Sequence, residues 1–203
     1  CIRDSDWVEV SQNGLWGISN LNGESVLPIE YTSIILYEEQ GYIVVSKKKD
    51  SFPFQNIYGI LNMNLETVLP IACTDPIKPI SKEYALVGSS TFGILAISSN
   101  QMIIPTFYSE IKLLTNKLFV VTKKENRYWS NPLVRYGLYD KAGKRLLPCE
   151  YDEFKPLTDN LLKLRTGSQY LIFRTSDQQT LKQSYSFIGQ PDKEGNIIVQ
   201  GND

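Results

Sequence analysis

Leu15-Trp16-Gly17-Ile18, followed by Val26-Leu27-Pro28 and then Tyr31, decides the reading of this chain because the pattern recurs along it. With the glycine as origin, Trp16-Gly17-Ile18 is matched by Tyr58-Gly59-Ile60, Phe92-Gly93-Ile94 and Tyr136-Gly137-Leu138, an aromatic-Gly-aliphatic triplet each time. Pro28, Pro70, Pro105 and Pro148 follow their glycines by 11, 11, 12 and 11 residues. Two aliphatics precede each proline, as in Val26-Leu27 and Leu146-Leu147, and Tyr31, Cys73, Tyr108 or Tyr151 comes three residues after it. A fifth copy stays in register without the glycine or proline: Tyr170-Leu171-Ile172, then Lys182 at the proline position, then Tyr185 and Ile188 where the first copy has Tyr31 and Ile34.

Between copies lies a further apolar run: Trp7-Val8-Glu9-Val10, Tyr42-Ile43-Val44-Val45, Tyr84-Ala85-Leu86-Val87, Leu118-Phe119-Val120-Val121 and Leu161-Leu162-Lys163-Leu164. All these runs are short, rich in β-branched and aromatic residues, and bounded by Asn-Gly, Ser-Asn, Ala-Gly or proline, which predicts strands. No window holds a helical period. A strand glycine at the same place four times predicts a close approach by the backbone or side chain of a neighbouring unit. A proline after the aliphatic pair should end its strand or lie on a sheet edge, because it donates no ladder hydrogen bond. A period of 34 to 44 residues, in units too small to bury their own apolar face, marks a stacked or ring-forming array.

The predicted fold is therefore all-β: five tandem three-stranded β-meanders in a single domain over 1–203. The units are approximately 6–40, 41–82, 83–116, 117–159 and 160–190, with a terminal strand over 195–200 placed where a sixth unit's first strand would begin. Chain start and chain end on the same strand type favour an open curved array, with a propeller-like closed ring as the alternative.

The motif resembles the bacterial Trp-Gly (WG) repeat, whose hallmark is an aromatic-Gly-Ile-(Asp/Asn) strand, a Gly turn, a Val-Ile-Pro strand and Tyr-Asp. Asn20, Asn62 and Asp140 stand near the polar strand-end position, Gly23 and Gly143 at the turn, and Tyr151-Asp152 keeps the final pair. The resemblance covers roughly residues 6 to 200 and departs from the family where Tyr or Phe replaces Trp, at Cys73, and at the lost Gly and Pro of the fifth copy. It implies a non-catalytic repeat module.

Composition narrows the function classes. With 42% apolar residues the chain can build a continuous core, and a net charge of -1 gives no bulk attraction for nucleic acid. No apolar stretch reaches 18 residues, so no transmembrane segment is expected. The chain opens on Cys1 rather than Met and shows no signal peptide, which reads as a processed or trimmed product. Cys1 is the residue type that lipoprotein processing leaves at a mature N-terminus, and so is the candidate lipidation site. That reading places the protein in the envelope or outside the cell; the other, an exposed cysteine at a domain cut, leaves it cytoplasmic. Cys73 and Cys149 occupy core-type repeat positions and are expected to be buried, unpaired thiols, with no disulfide framework and no metal signature.

There is no histidine, which removes Ser-His and Cys-His nucleophile pairs and His-ligated metals. The glycines never form a phosphate-binding loop, and the carboxylates Glu38, Glu39, Asp152, Glu153 and Asp159 sit in connecting segments. Neither catalysis nor a cofactor is expected.

The sharpest functional signal is in the first hairpin of each unit. Its spacing is 9, 16, 8, 18 and 9 residues, so two copies carry inserts of the same basic and aromatic composition. One insert carries Lys47, Lys48, Lys49, Phe52 and Phe54, the other Lys123, Lys124, Arg127, Tyr128 and Trp129, and these are the candidate partner-binding residues. Against this stands the simpler picture in which the aromatics fold back over the sheet and the lysines form a solvated edge that discourages strand pairing. The favoured function is a protein-interaction or scaffold domain. The alternative is a glycan or cell-wall polymer binder on an envelope lipoprotein, using repeated aromatics as stacking platforms. Because Trp16, Tyr58, Phe92 and Tyr136 share a face with Ile18, Ile60, Ile94 and Leu138, they are expected to be buried, which weighs against such platforms.

Overall fold

The computed structural model describes residues 7–52, 55–115, 118–127 and 130–201, and these form antiparallel meanders with a single short 3-10 turn, Glu38–Gln40. The first sheet holds β1 (Trp7–Gln12), β2 (Leu15–Asn20) and β3 (Ser25–Tyr31). The second holds β4 (Ser33–Tyr37), β5 (Tyr42–Lys48), β6 (Asn56–Asn62) and β7 (Thr67–Cys73). The third holds β8 (Ile77–Pro79), β9 (Tyr84–Gly88), β10 (Phe92–Ala96) and β11 (Gln101–Tyr108). The fourth holds β12 (Glu110–Thr115), β13 (Leu118–Arg127), β14 (Ser130–Asp140) and β15 (Arg145–Tyr151). In the fifth, β16 (Glu153–Thr158), β17 (Leu161–Thr166) and β18 (Gln169–Arg174) are followed in space by β20 (Tyr185–Ile188) and β21 (Val199–Gly201), with β19 (Gln179–Thr180) also beside β18. The chain falls into two compact units, residues 1–106 and 107–203.

The all-β meander repeat is therefore present, with one strand more per unit than the sequence pattern suggested. The segment after each Tyr position, such as Ser33–Tyr37, crosses to pair with the first strand of the next copy. The crossing is anchored by the residue after the tyrosine: Thr32 N–H donates to Ser46 O at 2.8 Å, Ser109 N–H to Thr122 O at 2.8 Å, and Asp152 N–H to Arg165 O at 2.8 Å.

The glycine and proline form one device, a bulge. Trp16 pairs with Tyr31 and Ile18 with Leu27, so one residue of β2 faces three of β3. Tyr58/Cys73 with Ile60/Leu69, and Tyr136/Tyr151 with Leu138/Leu147, repeat the same two-residue shift. Pro28, Pro70 and Pro148 lie in the bulged stretch, on the outermost strand of each sheet, where no ladder donor is needed. What approaches the glycine is thus the next strand of its own sheet and not a neighbouring unit. A Cβ on Gly17 would sit 2.7 Å from Leu27 O, and one on Gly59 would sit 2.8 Å from Ile71 Cα.

Asn20, Asn62 and Asp140 close the turn that follows. Asn20 Oδ1 accepts from Asn22 N–H at 3.0 Å and Glu24 N–H at 2.9 Å, and Asp140 Oδ1 accepts from Ala142 N–H at 2.9 Å and Lys144 N–H at 2.8 Å. Gly23 and Gly143 supply the positive φ this turn requires, and Leu65 holds the same place at φ 66°. Asp192 builds a further copy with Glu194 and Asn196 N–H, each at 2.9 Å, and Gly195 at φ 86°. The C-terminal segment returns as a hairpin, Val199–Gly201 pairing with Tyr185–Ile188, in the register that a following unit's first strand has: Ile188 faces Val199 as Ile34 faces Val45.

Packing explains why the first runs are apolar without alternation. In β5, Ile43 and Val45 cluster with Ile18, Leu27 and Tyr31 of the first sheet, whereas Val44 clusters with Ile77, Ala85 and Val87 of the third. Successive residues point to opposite faces, and here both faces are covered. In the second unit, Leu118, Leu138 and Leu147 of the fourth sheet pack with Leu162, Leu164 and Phe173 of the fifth. Tyr108 and Tyr139 meet edge to face with hydroxyl oxygens 2.7 Å apart, and burial drives the Tyr108 hydroxyl far above its ordinary pKa.

Candidate functional site

The two inserts differ in construction. In the first, strand pairing continues past Ser46/Tyr58 to Lys48/Asn56, and Lys49 N–H donates to Gln55 O at 2.9 Å, leaving a short loop. Lys47 is held against the body: its Nζ lies 2.6 Å from Glu30 Oε1 in the bulge and 4.7 Å from the Tyr31 ring centroid. Burial raises the Tyr31 hydroxyl pKa, Lys47 opposes that shift, and Glu30 adds to it. Lys48 is exposed, Lys49 half-buried, and Phe52 is 86% exposed.

The second insert is not a swollen loop. It is a ribbon in which β13 and β14 run on through Lys123/Arg135, Lys124/Val134 and Glu125/Leu133 to Arg127/Ser130. Val134 and Leu133 supply strand formers that the spacing alone did not reveal, and a register shift between Glu125 and Arg127 brackets Pro132. Lys123 and Lys124 are exposed; Lys123 Nζ stands 5.8 Å from the Tyr108 ring centroid, and Lys124 N–H donates to Ser109 Oγ at 3.0 Å. Arg127 lies at the end of β13. Phe54, Tyr128, Trp129 and Cys1 fall outside the described residues.

The expectation of buried platforms is corrected. Trp16 is 39% exposed, and Tyr58, Phe92 and Tyr136 are half-buried. The aliphatic two residues on, Ile18, Ile60, Ile94 or Leu138, takes the centre of the packed face, which leaves the aromatic at its rim beside the bulge. In the first unit this rim forms a groove of about 240 Å³ between the second and third sheets, with Tyr37, Tyr58 and Phe92 in its walls beside Ile35 and Ile77. In the second unit, a hollow of about 300 Å³ lies among Leu114, Pro156, Leu157 and Leu162. No helix among the described residues is long and apolar enough to cross a membrane.

Two charge clusters went unread in the sequence. Asp152 receives an ion pair from Arg135 and the Gly167 N–H at 2.8 Å, so the polar residue after the repeat tyrosine ties the following hairpin to the preceding strand. Glu153 lies 3.4 Å from Lys155 Nζ, 3.5 Å from Arg165 Nε and 3.6 Å from Lys163 Nζ. Burial pushes its carboxyl up, but Lys155, Lys163 and Arg165 outweigh burial and hold it below the usual carboxylate range.

Cys73 and Cys149 are free thiols, half-buried where the sequence pattern suggested full burial, because both lie on the outermost, bulged strand. Cys149 S–H points to Arg135 O at 3.1 Å. Burial is the main cause raising both pKa values, so the thiolate fraction at pH 8 is smaller than for a free cysteine. Both should react with a thiol reagent at pH 8 at least about tenfold more slowly in the native protein than in urea. Peptide mapping of labelled protein checks this, and native labelling as fast as unfolded would refute the protection.

No curated protein sequence matches this chain. Among solved structures it is similar to Hsv2 of Kluyveromyces lactis, with a TM-score of 0.39 at 13% identity over 97% of this chain and 68% of that one. Hsv2 of Kluyveromyces marxianus gives 0.39 at 12% identity over 98% and 70%. Residues 16–49 and 136–170 match the family model described as WG containing repeat, each opening on the aromatic before the bulge glycine. Over those two segments, which share the bulge and the Asx turn, the chain carries the WG-containing repeat.

Proposed function

We propose that this chain is a non-catalytic repeat module that binds a protein partner through its hairpin inserts. The observation that carries the reading is Phe52, 86% exposed on the insert between β5 and β6 and close in sequence to the exposed Lys48. A large aromatic near a cation, on a hairpin that three other copies replace with a tight turn, is the residue combination that anchors interfaces. The lack of any histidine in the chain supports the non-catalytic part.

The test compares capture by the parent with capture by a variant whose inserts, residues 49–55 and 124–134, are cut to short turns. Lys47 is kept because it holds Glu30. The variant should fold, since loop shortening costs little where sibling units already use tight turns. A partner retained by the parent but lost from the variant and from Phe52→Ala supports the reading. A partner retained by all three places recognition elsewhere.

The rim aromatics favour a second reading, in which a glycan or cell-wall polymer is held by the groove of Tyr37, Tyr58 and Phe92. If no protein is captured and the parent sediments with insoluble cell-wall polymer while Tyr58→Ala does not, this reading replaces the first.

A further inference from the structure

The groove between the second and third sheets lies where one register position departs from its sisters. On the strand that crosses into each sheet, Ser33, Glu110 and Glu153 stand opposite Ser46, Thr122 and Arg165. In the third sheet the same position holds Pro76 opposite Gly88, with Gly88 N–H donating to Pro76 O at 3.0 Å. Pro76 has no N–H to carry the ladder further, and β8 begins only at Ile77. Gly88 stands at φ 129°, where a Cβ would run into Thr91 O, so no side chain takes the place that Ser46, Thr122 and Arg165 fill in their own sheets. The walls around this place are Ile35, Tyr37 and Tyr58 of the second sheet and Ile77, Leu86 and Phe92 of the third.

The same departure removes a charge. Lys78 stands opposite Leu86 as Lys112 stands opposite Val120 and Lys155 opposite Lys163. Lys112 and Lys155 each close on the glutamate two residues before them: Lys112 Nζ lies 2.9 Å from Glu110 Oε1, and Lys155 Nζ lies 3.4 Å from Glu153 Oε1. Two residues before Lys78 the chain has Pro76, and among the described residues no carboxylate pairs with Lys78. Lys78 is exposed and lines the groove, and Ile35 in the opposite wall is 47% exposed. A cation lacking the carboxylate its sisters have, beside an open apolar wall, is complementary to a carboxylate held close to a large apolar group.

We propose that this groove is a docking site for an extended segment of a partner protein in which a glutamate and a large apolar residue share one face. The carboxylate takes the place beside Lys78 that Glu110 and Glu153 hold beside their lysines, and the apolar side chain lies among Ile35, Tyr58 and Phe92. The aliphatic walls of Ile35, Ile77 and Leu86 would leave sugar hydroxyls without partners, which favours a peptide side chain there. The site rests on the proposed function only in the partner being a protein; it is separate from the inserts, so its test succeeds or fails independently of theirs.

The probe is the blocked peptide acetyl-Glu-Ser-Leu-Ser-Phe-amide, whose glutamate, leucine and phenylalanine share a face when extended. Titrated to millimolar concentration, it should shift the amide NMR signals of Lys78, Leu86 and Gly88, in the insert-cut variant as in the parent. Glutamine in place of the peptide's glutamate should weaken binding about fivefold. Pro76→Glu should do the same, because it gives Lys78 the carboxylate that its sisters have, and its thermal midpoint shows whether it is folded. Lys78→Glu should bind the peptide more weakly and prefer a version with lysine in place of the glutamate. Groove amides that do not move, or equal affinity for the glutamate and glutamine peptides, overturn the proposal. A response lost with the inserts assigns the segment to them and overturns the site. The same amides moved by a uronic-acid oligosaccharide and not by the peptide overturn the protein partner and assign the groove to the glycan reading.

Discussion

Phe119→Ala should lower the unfolding free energy by about 3–5 kcal/mol, whereas Val8→Ala should cost less than about 1 kcal/mol. The two residues hold the same position in their units, opposite the residue that precedes the polar strand end: Phe119 faces Tyr139 and Val8 faces Ser19. Phe119 is fully buried and Val8 is half in solvent. Removing a buried ring loses its transfer free energy and leaves a cavity, while trimming an exposed valine does neither. Urea denaturation with an unchanged slope reads both. Similar losses at the two sites would refute the difference in burial between them.

Gly93→Ala should be the most damaging alanine in any repeat glycine, at about 1–3 kcal/mol. The added methyl would meet Ile104 O at 2.5 Å, Pro105 C at 2.9 Å and Thr106 N at 2.9 Å. All three are backbone atoms of β11, so relief requires that strand to move. At Gly137 the nearest atoms are 3.0 to 3.1 Å away, and the same substitution should cost less. At Gly201 nothing lies within 4 Å, and the change should fall within about 0.5 kcal/mol of zero. The order Gly93, Gly137, Gly201 in thermal midpoint shifts tests the close approach of the neighbouring strand. A Gly93→Ala protein as stable as the parent would refute it.

The repeat, its strands and its turns were legible in the chain because each is a local matter. An aromatic-Gly-aliphatic triplet, a proline at a fixed distance, and Asn-Gly or Asp-Lys-Ala-Gly between them impose strand and turn geometry without help from distant residues. The edge placement of the prolines followed from their missing N–H. The crossing strand was harder to read. Ser33–Tyr37 has an ordinary strand composition, and its membership of the next sheet depends on pairing with Tyr42–Lys48.

The candidate site was less legible still. The inserts stood out by length, yet Leu133 and Val134 turn one of them into a ribbon only because they find partners in Glu125 and Lys124. Lys47 looked like part of a basic cluster and is engaged by Glu30 and Tyr31, residues of the preceding unit. The aromatics of the triplet share a face with buried aliphatics, as the strand period requires, but that period gives no position along the strand. Whether a side chain lies at the centre of a packed face or at its rim depends on where the neighbouring sheet ends.

By itself, then, the sequence determined the repeat unit, its strands, its bulge glycine and its polar turn residues, since steric and hydrogen-bonding constraints within a few residues suffice for these. Only the tertiary structure decided which face of each strand is covered and which cations are already paired. Those depend on the stacking of whole sheets, and in that packing five near-identical local patterns acquire different surroundings.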